Sequence, residues 1–418
     1  MHDFHYKGKE LFCEDVRIAD IVEKTGTPCY VYSHNTLVDH FTEIQRAFAD
    51  INPLICFAMK SNDNLAVLKT LINAGAGFDI VSVGELRKAL LAGADPKKIV
   101  FASVGKTEEE IVFAIKKGIL LFNVESLPEL DEINRIAGKH KKTVKVALRI
   151  NPDVEAPTYS QVVTGTLKNK FGIDLNTAQK IMKQTKKYAH IRFSGLHVHI
   201  GSQITTGEPF VEAIQRVIRF QEKLKKTGLE LEYLDIGGGL GIIYKDEQPQ
   251  TAARFAENVL PLLKQTGLKI IMEPGRFISG NAGIFVTRVL YLKDNGVKKF
   301  LIVDGGMNDL MRPTLYGSYH EIVPLIKKAG RRLKMDVVGP ICESGDFFAK
   351  DRLLPALKKN DLIALLGAGA YCSVMSSNYN MRGNVPIAFV KGKKFDLSRI
   401  RQTFDDLVKD ERIPAFLN

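Results

Sequence analysis

The chain has 418 residues, 45% hydrophobic and 25% charged, with 59 Lys and Arg against 47 Asp and Glu for a net charge of +12. That length exceeds one ordinary core and predicts two domains of a soluble globular protein. The basic excess is spread along many helical segments, as in Lys139-His140-Lys141-Lys142, without aromatic-rich basic strands, so it reads as solvated helix faces, helped by a preference for small anionic molecules, and no nucleic-acid partner is expected.

In chain order, Met1-His2-Asp3-Phe4-His5 lacks the charged and apolar regions of a signal peptide, and no apolar run is long enough to span a bilayer. The expected location is therefore cytoplasmic, with no membrane partner. A short amphipathic segment at 16–24 precedes a strand at Pro28-Cys29-Tyr30-Val31-Tyr32 and a helix over 35–49. Strands then alternate with helices: 55–59 with 64–74, 78–81 with 84–92, 99–103 with 108–117, and 120–124 with 127–137. The alternation continues as 144–150 with a long loop and 177–185, 193–200 with 210–226, 233–236 with 251–263, and a last strand at 269–272. Repeated strand–helix units imply a parallel sheet, and eight of them suggest a closed (β/α)8 barrel with its site at the strand C-terminal ends. A doubly wound open sheet is the competing arrangement. No Gly-x-Gly-x-x-Gly follows an early strand, which argues against a dinucleotide site.

After Arg276 the texture changes to strands at 284–291, 299–304, 332–338, 361–366 and 385–390, joined by Gly, Asn and Pro turns. The expected organisation is an α/β barrel over 34–278 and a second, mainly β domain from 1–33 and 279–418. The five cysteines, Cys13, Cys29, Cys56, Cys342 and Cys372, are scattered without a CxxC pair, as expected of reduced thiols and not of a disulfide framework or zinc site.

The candidate chemistry gathers at the predicted strand ends. The apolar run Ile55-Cys56-Phe57-Ala58-Met59 ends in Lys60, and a lysine held out of water is what a Schiff-base amine requires. The plainer reading is a strand whose last residue has reached solvent. Asp79, at the end of the second strand, is an ordinary helix cap or a partner for the Lys60 amine. His197 and His199, two apart on a strand, share a face. They read as a metal pair or as a wall for an aromatic cofactor with Ser202 near its phosphate; no third ligand lies at a recognisable spacing, so no metal is expected. Gly237, Gly238 and Gly239 end the seventh strand and allow backbone N–H groups to approach a phosphate. Glu273-Pro274-Gly275-Arg276 presents an acid and an arginine at one corner, for a phosphate or carboxylate or simply for each other. In the β domain, Arg312-Pro313-Thr314-Leu315-Tyr316, Cys342-Glu343-Ser344-Gly345-Asp346 and the glycine-spaced turn ending in Tyr371 stand out. Cys342, flanked by Glu and Gly, is unlike a core cysteine, whereas Cys56 fits one.

Together these segments resemble the diaminopimelate decarboxylase family, pyridoxal-phosphate enzymes of the alanine-racemase-like fold related to ornithine and arginine decarboxylases. The motifs that carry the resemblance are Ala58-Met59-Lys60-Ser61-Asn62, His197-Val198-His199-Ile200-Gly201-Ser202-Gln203, the Gly237 triplet, Glu273-Pro274-Gly275-Arg276 and the two β-domain segments. The resemblance implies that Lys60 binds pyridoxal 5'-phosphate covalently, His199 stacks on its ring and Glu273 pairs with the ring nitrogen. It further implies that Ser202, Gly239, Gly275, Arg276 and Tyr371 surround the phosphate. Arg276, Arg312, Tyr316 and Glu343 would grip the distal end of the substrate, with Tyr371 near it. It also implies a homodimer in which Cys342 enters from the partner and protonates the substrate carbon. One stretch departs: where the family reads His-Pro-Tyr-Ile before Thr-Gly, this chain reads Thr158-Tyr159-Ser160-Gln161-Val162-Val163-Thr164-Gly165. The expected activity is decarboxylation of meso-diaminopimelate to L-lysine. The rival readings are a decarboxylase of ornithine, arginine or carboxynorspermidine, a non-catalytic cofactor-binding protein on the same scaffold, and a metal-dependent barrel hydrolase built on His197 and His199.

Overall fold

A computed structural model describes residues 2–154, 165 and 169–417. The divergent stretch 158–165 therefore lies outside the described residues, apart from Gly165. The chain divides into two compact units, Leu37–Ile278 and Met1–Thr36 with Ser279–Asn418.

The first unit is a closed barrel. Its eight strands are β1 (Leu54–Ala58), β2 (Gly77–Ile80), β3 (Ile99–Phe101), β4 (Leu121–Val124), β5 (Val144–Asn151), β6 (Ile191–His197), β7 (Tyr233–Asp235) and β8 (Lys269–Met272). Each pairs in parallel with the next, and β8 returns to β1 through Ile271 opposite Leu54 and Met272 opposite Ile55. That last pairing decides for the barrel over the open sheet. A two-residue strand, Ile173–Asp174, adds to the end of β5.

Helices follow the strands because the turns between them are well capped. Ser82, Thr107 and Ser126 each accept a hydrogen bond from the backbone N–H three residues on, starting helices Val83–Ala92, Glu108–Lys117 and Leu127–Lys139. Each of these three helices carries a glutamate at that third position. Gly93 and Gly118 end two of them in the left-handed conformation.

Alternation along each strand sorts the barrel into two faces. Cys56, Val100, Leu121, Ala147, Tyr233 and Ile271, drawn from six different strands, pack together as the barrel interior. Phe57, Phe78, Phe101 and Phe122 take the intervening positions, are fully buried toward the helices, and pack in ring pairs Phe57–Phe78 and Phe101–Phe122. Burying each such ring contributes about 1.5–3 kcal/mol.

The second unit is β-rich, as expected. Its main sheet runs, in spatial order, Phe347–Pro355, Arg332–Val338, Lys299–Val303, Gly283–Asp294, Cys29–Ser33, Ile387–Lys391 and Lys394–Arg399. A three-stranded antiparallel sheet, Phe4–Lys7, Glu10–Cys13 and Val16–Arg17, shares a core with it through Phe4, Leu11, Val31, Ile284 and Val390. The segment expected to be amphipathic at 16–24 forms helix Ile18–Thr25. Among the described residues no helix is long and apolar enough to cross a membrane.

Candidate active site

Lys60 does not end a strand. β1 stops at Ala58, and Met59–Ser61 form one 3-10 turn, closed by the Ser61 hydroxyl donating to Ala58 O at 2.8 Å and by Asn62 N donating to Met59 O at 3.0 Å. The turn swings the lysine over the C-terminal end of the barrel, where its Nζ donates to Oδ2 of Asp79 at 2.6 Å. Of the two readings of Asp79, helix cap or partner for the Lys60 amine, the structure shows the partner. Burial, and then the nearby Glu273 charge, push the Asp79 carboxyl up to about 7, although Lys60 draws it down.

Below Lys60 the barrel interior turns polar. Asp79, Asn123, His197, Asp235 and Glu273 each come two residues after an inward position and are all buried. Asn123 Nδ2 donates to Asp235 Oδ2 at 3.2 Å and to Glu273 Oε1 at 3.1 Å. His197 Nε2 lies 3.3 Å from the other Glu273 oxygen, and Gly237 N donates to Asp235 Oδ1 at 2.9 Å. Burial alone would push Glu273 up, but His197 and Lys60 outweigh it and hold the carboxyl well below the usual carboxylate range. Asp235 goes the other way, pushed well up by burial and by the Glu273 charge. Two adjacent buried carboxyls cannot both ionise, and here the proton belongs on Asp235.

Beside this layer lies a close-packed backbone cradle. Gly237 and Gly239 have φ of +66° and +113°, and a Cβ on Gly238 would stand 2.2 Å from Glu273 O. A Cβ on Gly275 would stand 3.1 Å from Ser61 Oγ. The Arg276 guanidinium reaches back, with Nε and one terminal nitrogen 3.3 and 3.1 Å from Ser202 Oγ and the other 2.7 Å from the Tyr244 hydroxyl. His199 Nδ1 accepts from Gly238 N at 3.2 Å. Burial, then the Arg149 and Lys60 charges, hold the His199 imidazole well below its usual value. It is neutral, with its proton on Nε2.

Two buried ion pairs brace the mouth. Lys106, fully buried, lies 2.6 Å from Glu129 and also donates to Asn123 O at 2.8 Å; Arg149 lies 2.8 Å from Glu125.

In the second unit, Arg312 and Tyr316 bound the short helix Arg312–Tyr316. The Thr314 hydroxyl donates to Gly345 O at 2.6 Å, which ties that helix to the turn carrying Cys342 and Glu343. Asp346 shapes the turn by accepting from Ile341 N at 2.6 Å and Met307 N at 2.7 Å. Cys342 and Glu343 are exposed, whereas Arg312 is buried with one guanidinium nitrogen 3.0 Å from His320 Nε2. Tyr371 is half-buried in a left-handed conformation, φ +57°, costly for a tyrosine.

The barrel thus brings together Lys60, Asp79, His199, Ser202, Gly237, Gly238, Gly239, Glu273, Gly275 and Arg276, while Arg312, Tyr316, Cys342, Glu343 and Tyr371 belong to the other unit. The two histidines differ from the sequence reading. β6 ends at His197, which turns to Glu273, and His199 lies beyond the strand against Gly238. One atom each of His197, Asp235 and Glu273 fall within 4.8 Å of one another, a cluster that no spacing in the sequence reveals. Strands β7 and β8 supply them from far along the chain. The two Asn123 N–H groups aimed at these oxygens suit carboxylates held as anions and acids. Asn123, Asp235, Tyr244 and His320 carry no role in the sequence reading. The one signal for Asn123 was a polar residue inside the apolar run Leu121-Phe122-Asn123-Val124.

The residues fit pyridoxal phosphate: an amine at the barrel mouth, a buried anion beneath it, and an arginine, a serine hydroxyl and a glycine cradle to one side. Comparisons agree. Residues 34–280 match the family described as "Pyridoxal-dependent decarboxylase, pyridoxal binding domain". The chain is 46% identical to the diaminopimelate decarboxylase of Aquifex aeolicus over 405 residues, covering 97% of this chain and 96% of that one. It is similar to the crystal structure of diaminopimelate decarboxylase from M. jannaschii in co-complex with L-lysine, with a TM-score of 0.95, 35% identity and 100% coverage of both chains. It is also similar to the Helicobacter pylori enzyme complexed with L-lysine, with a TM-score of 0.90, 39% identity, and 94% and 98% coverage of this chain and that one.

Proposed function

The chain belongs to the pyridoxal-dependent decarboxylases, and we infer that it is a diaminopimelate decarboxylase, converting meso-2,6-diaminopimelate to L-lysine and CO2 in the last step of lysine biosynthesis. The observation that carries this reading is Lys60 beside Asp79 at the barrel mouth, over a buried Glu273 and next to the Arg276–Ser202 cradle.

Bound here, pyridoxal phosphate supplies an aldehyde for amines and a ring that accepts the electron pair of the breaking bond. Lys60 is the amine that would hold it. Glu273 keeps a negative charge for the ring nitrogen, and the neutral His199 offers a flat face to the ring. Ser202, Gly237, Gly238, Gly239, Gly275, Arg276 and Tyr371 are assigned to the phosphate. When the Cα–carboxylate bond breaks and CO2 leaves, Cys342 delivers the proton that Cα gains. Arg276, Arg312, Tyr316, Glu343 and Tyr371 are assigned to the distal end of the substrate, which carries both an amine and a carboxylate.

The same reading assigns the cofactor to a domain over 34–278, and substrate and dimer contacts to 1–33 with 279–418. It makes the active form a cytoplasmic homodimer whose subunits share their sites. Five cysteines without a disulfide support a reducing compartment.

The second reading is a related decarboxylase of ornithine, arginine or carboxynorspermidine. Arg312 and Glu343, joined through the Thr314–Gly345 hydrogen bond, offer one charge of each sign and favour a zwitterionic substrate end. Assaying the purified protein against all four substrates tests this. Preference for diaminopimelate is expected, and faster turnover of ornithine or arginine would overturn the assignment.

A further inference from the structure

Asn123 sits at the centre of the polar layer with nothing in its chemistry that the reaction needs. It neither carries a charge nor moves a proton. Its amide nitrogen has two hydrogens, and the structure directs one to each member of the carboxyl pair, Asp235 Oδ2 at 3.2 Å and Glu273 Oε1 at 3.1 Å. Its own carbonyl oxygen, Oδ1, is buried with no hydrogen-bond partner among the described residues. An unsatisfied buried amide oxygen costs stability that an apolar residue of similar size would not. The position therefore sacrifices stability for the orientation of the other end of the amide.

The residue is also held from behind. Lys106, buried and paired with Glu129 at 2.6 Å, donates to the Asn123 backbone oxygen at 2.8 Å. A second Lys106 contact, to Ser103 O at 2.9 Å, ties the end of β4 to the loop after β3. With its backbone fixed and both amide hydrogens engaged, Asn123 determines where the Glu273 carboxylate lies. His197, on the other Glu273 oxygen, leaves freedom about one contact; Asn123 removes it.

We propose that Asn123 is a positioning residue for the cofactor ring: by bridging Asp235 and Glu273 it fixes the Glu273 carboxylate in place for the ring nitrogen. This rests on the assignment of pyridoxal phosphate to the site. Asn123 acts through Glu273, the residue its amide holds.

The test uses the full-length protein resolved of cofactor and two ligands, pyridoxal phosphate and its carbocyclic analogue in which C–H replaces the ring nitrogen. Dissociation constants are read by absorbance for wild type, Asn123→Ala and Asn123→Ser. Losing a hydrogen bond to a charged group predicts about tenfold weaker binding of pyridoxal phosphate by Asn123→Ala. The analogue, which has no nitrogen for Glu273 to meet, is expected to bind wild type and variant within about twofold. Equal losses for both ligands mean a merely structural role and overturn the proposal, as does no loss for either. If circular dichroism finds Asn123→Ala unfolded, the same comparison on Asn123→Ser decides, with the same expected and overturning results. Wild-type protein that fails to bind pyridoxal phosphate overturns the cofactor assignment itself, an outcome distinct from the other two.

Discussion

The Lys60 amine and the Asp79 carboxylate stand 2.6 Å apart, the acid side chain fully buried and the lysine side chain 34% exposed. The pair is asymmetric: Asp79 gives up all its water, Lys60 only part. Burial and the Glu273 charge therefore prevail over Lys60, and the Asp79 carboxyl is pushed up to about 7. A folded-state pKa above the unfolded value of about 3.9 gives stability that is complete below that value and is lost as pH rises through about 7. Asp79→Asn removes this titration. In the cofactor-free protein, wild type is expected to lose stability relative to Asp79→Asn between pH 5 and pH 8. Urea unfolding at both pH values measures it, and a constant gap between the two proteins would sink the argument.

Lys60→Ala is expected to retain no covalently bound cofactor, visible as loss of its absorbance band, and no measurable turnover. Cys342→Ala should keep the band and lose about 10²–10⁴-fold in rate, the usual contribution of a positioned acid. Mixing the two inactive variants after mild dissociation should restore activity if each site takes Lys60 from one subunit and Cys342 from the other. A mixture that stays inactive while the proteins exchange subunits rules out shared sites.

Gly238→Ala places a methyl group where the nearest atom, Glu273 O at 2.2 Å, is backbone and cannot rotate away. Relief requires the loop after β7 to part from the chain after β8. Destabilisation of about 1–3 kcal/mol is expected, together with weaker cofactor binding. Thermal unfolding with and without cofactor measures both; wild-type values in each would show that the loop accommodates the methyl group.

Far from this mouth, at the β7 N-terminal end, Glu232 meets Lys145 at 2.9 Å, Lys269 at 3.4 Å and Arg192 at 3.6 Å. The Lys145 hydrogen bond, against some burial, pulls its carboxyl down to about 2. A depressed pKa gives stability that is present above about 4.3 and is lost as pH falls through about 2. Glu232→Gln should cost about 1 kcal/mol at neutral pH, since the group is partly exposed, and should flatten the acid limb of the unfolding curve. Acid titration followed by circular dichroism decides; superimposable acid limbs would refute it.

The alternating pattern of apolar strands and amphipathic helices was enough to read eight units and a β-rich remainder, because both periodicities are local. What remained hidden depends on closure. Nothing near His197 in the chain announces Glu273, 76 positions on; only the return of β8 to β1 and the neighbouring β6, β7 and β8 put them 3.3 Å apart. Asn123 was hidden for the same reason, since its partners come from β7 and the end of β8. The Lys60 turn was missed by one residue, because Ser61 bonding back to Ala58 is a side-chain event that hydrophobic patterning does not report.

The two-faced alternation of the strands has a consequence for how the protein assembles. A slip of one residue in β2, β4, β7 or β8 exchanges faces. It would drive Asp79, Asn123, Asp235 or Glu273 into the phenylalanine-rich seam against the helices, where a carboxylate without partners costs several kcal/mol. A barrel lined only with aliphatic side chains would tolerate such a slip far better. The polar layer thus also disfavours a misregistered sheet, and replacing its members with apolar residues should raise the yield of misaligned, aggregation-prone chains even where the correctly formed barrel gains stability.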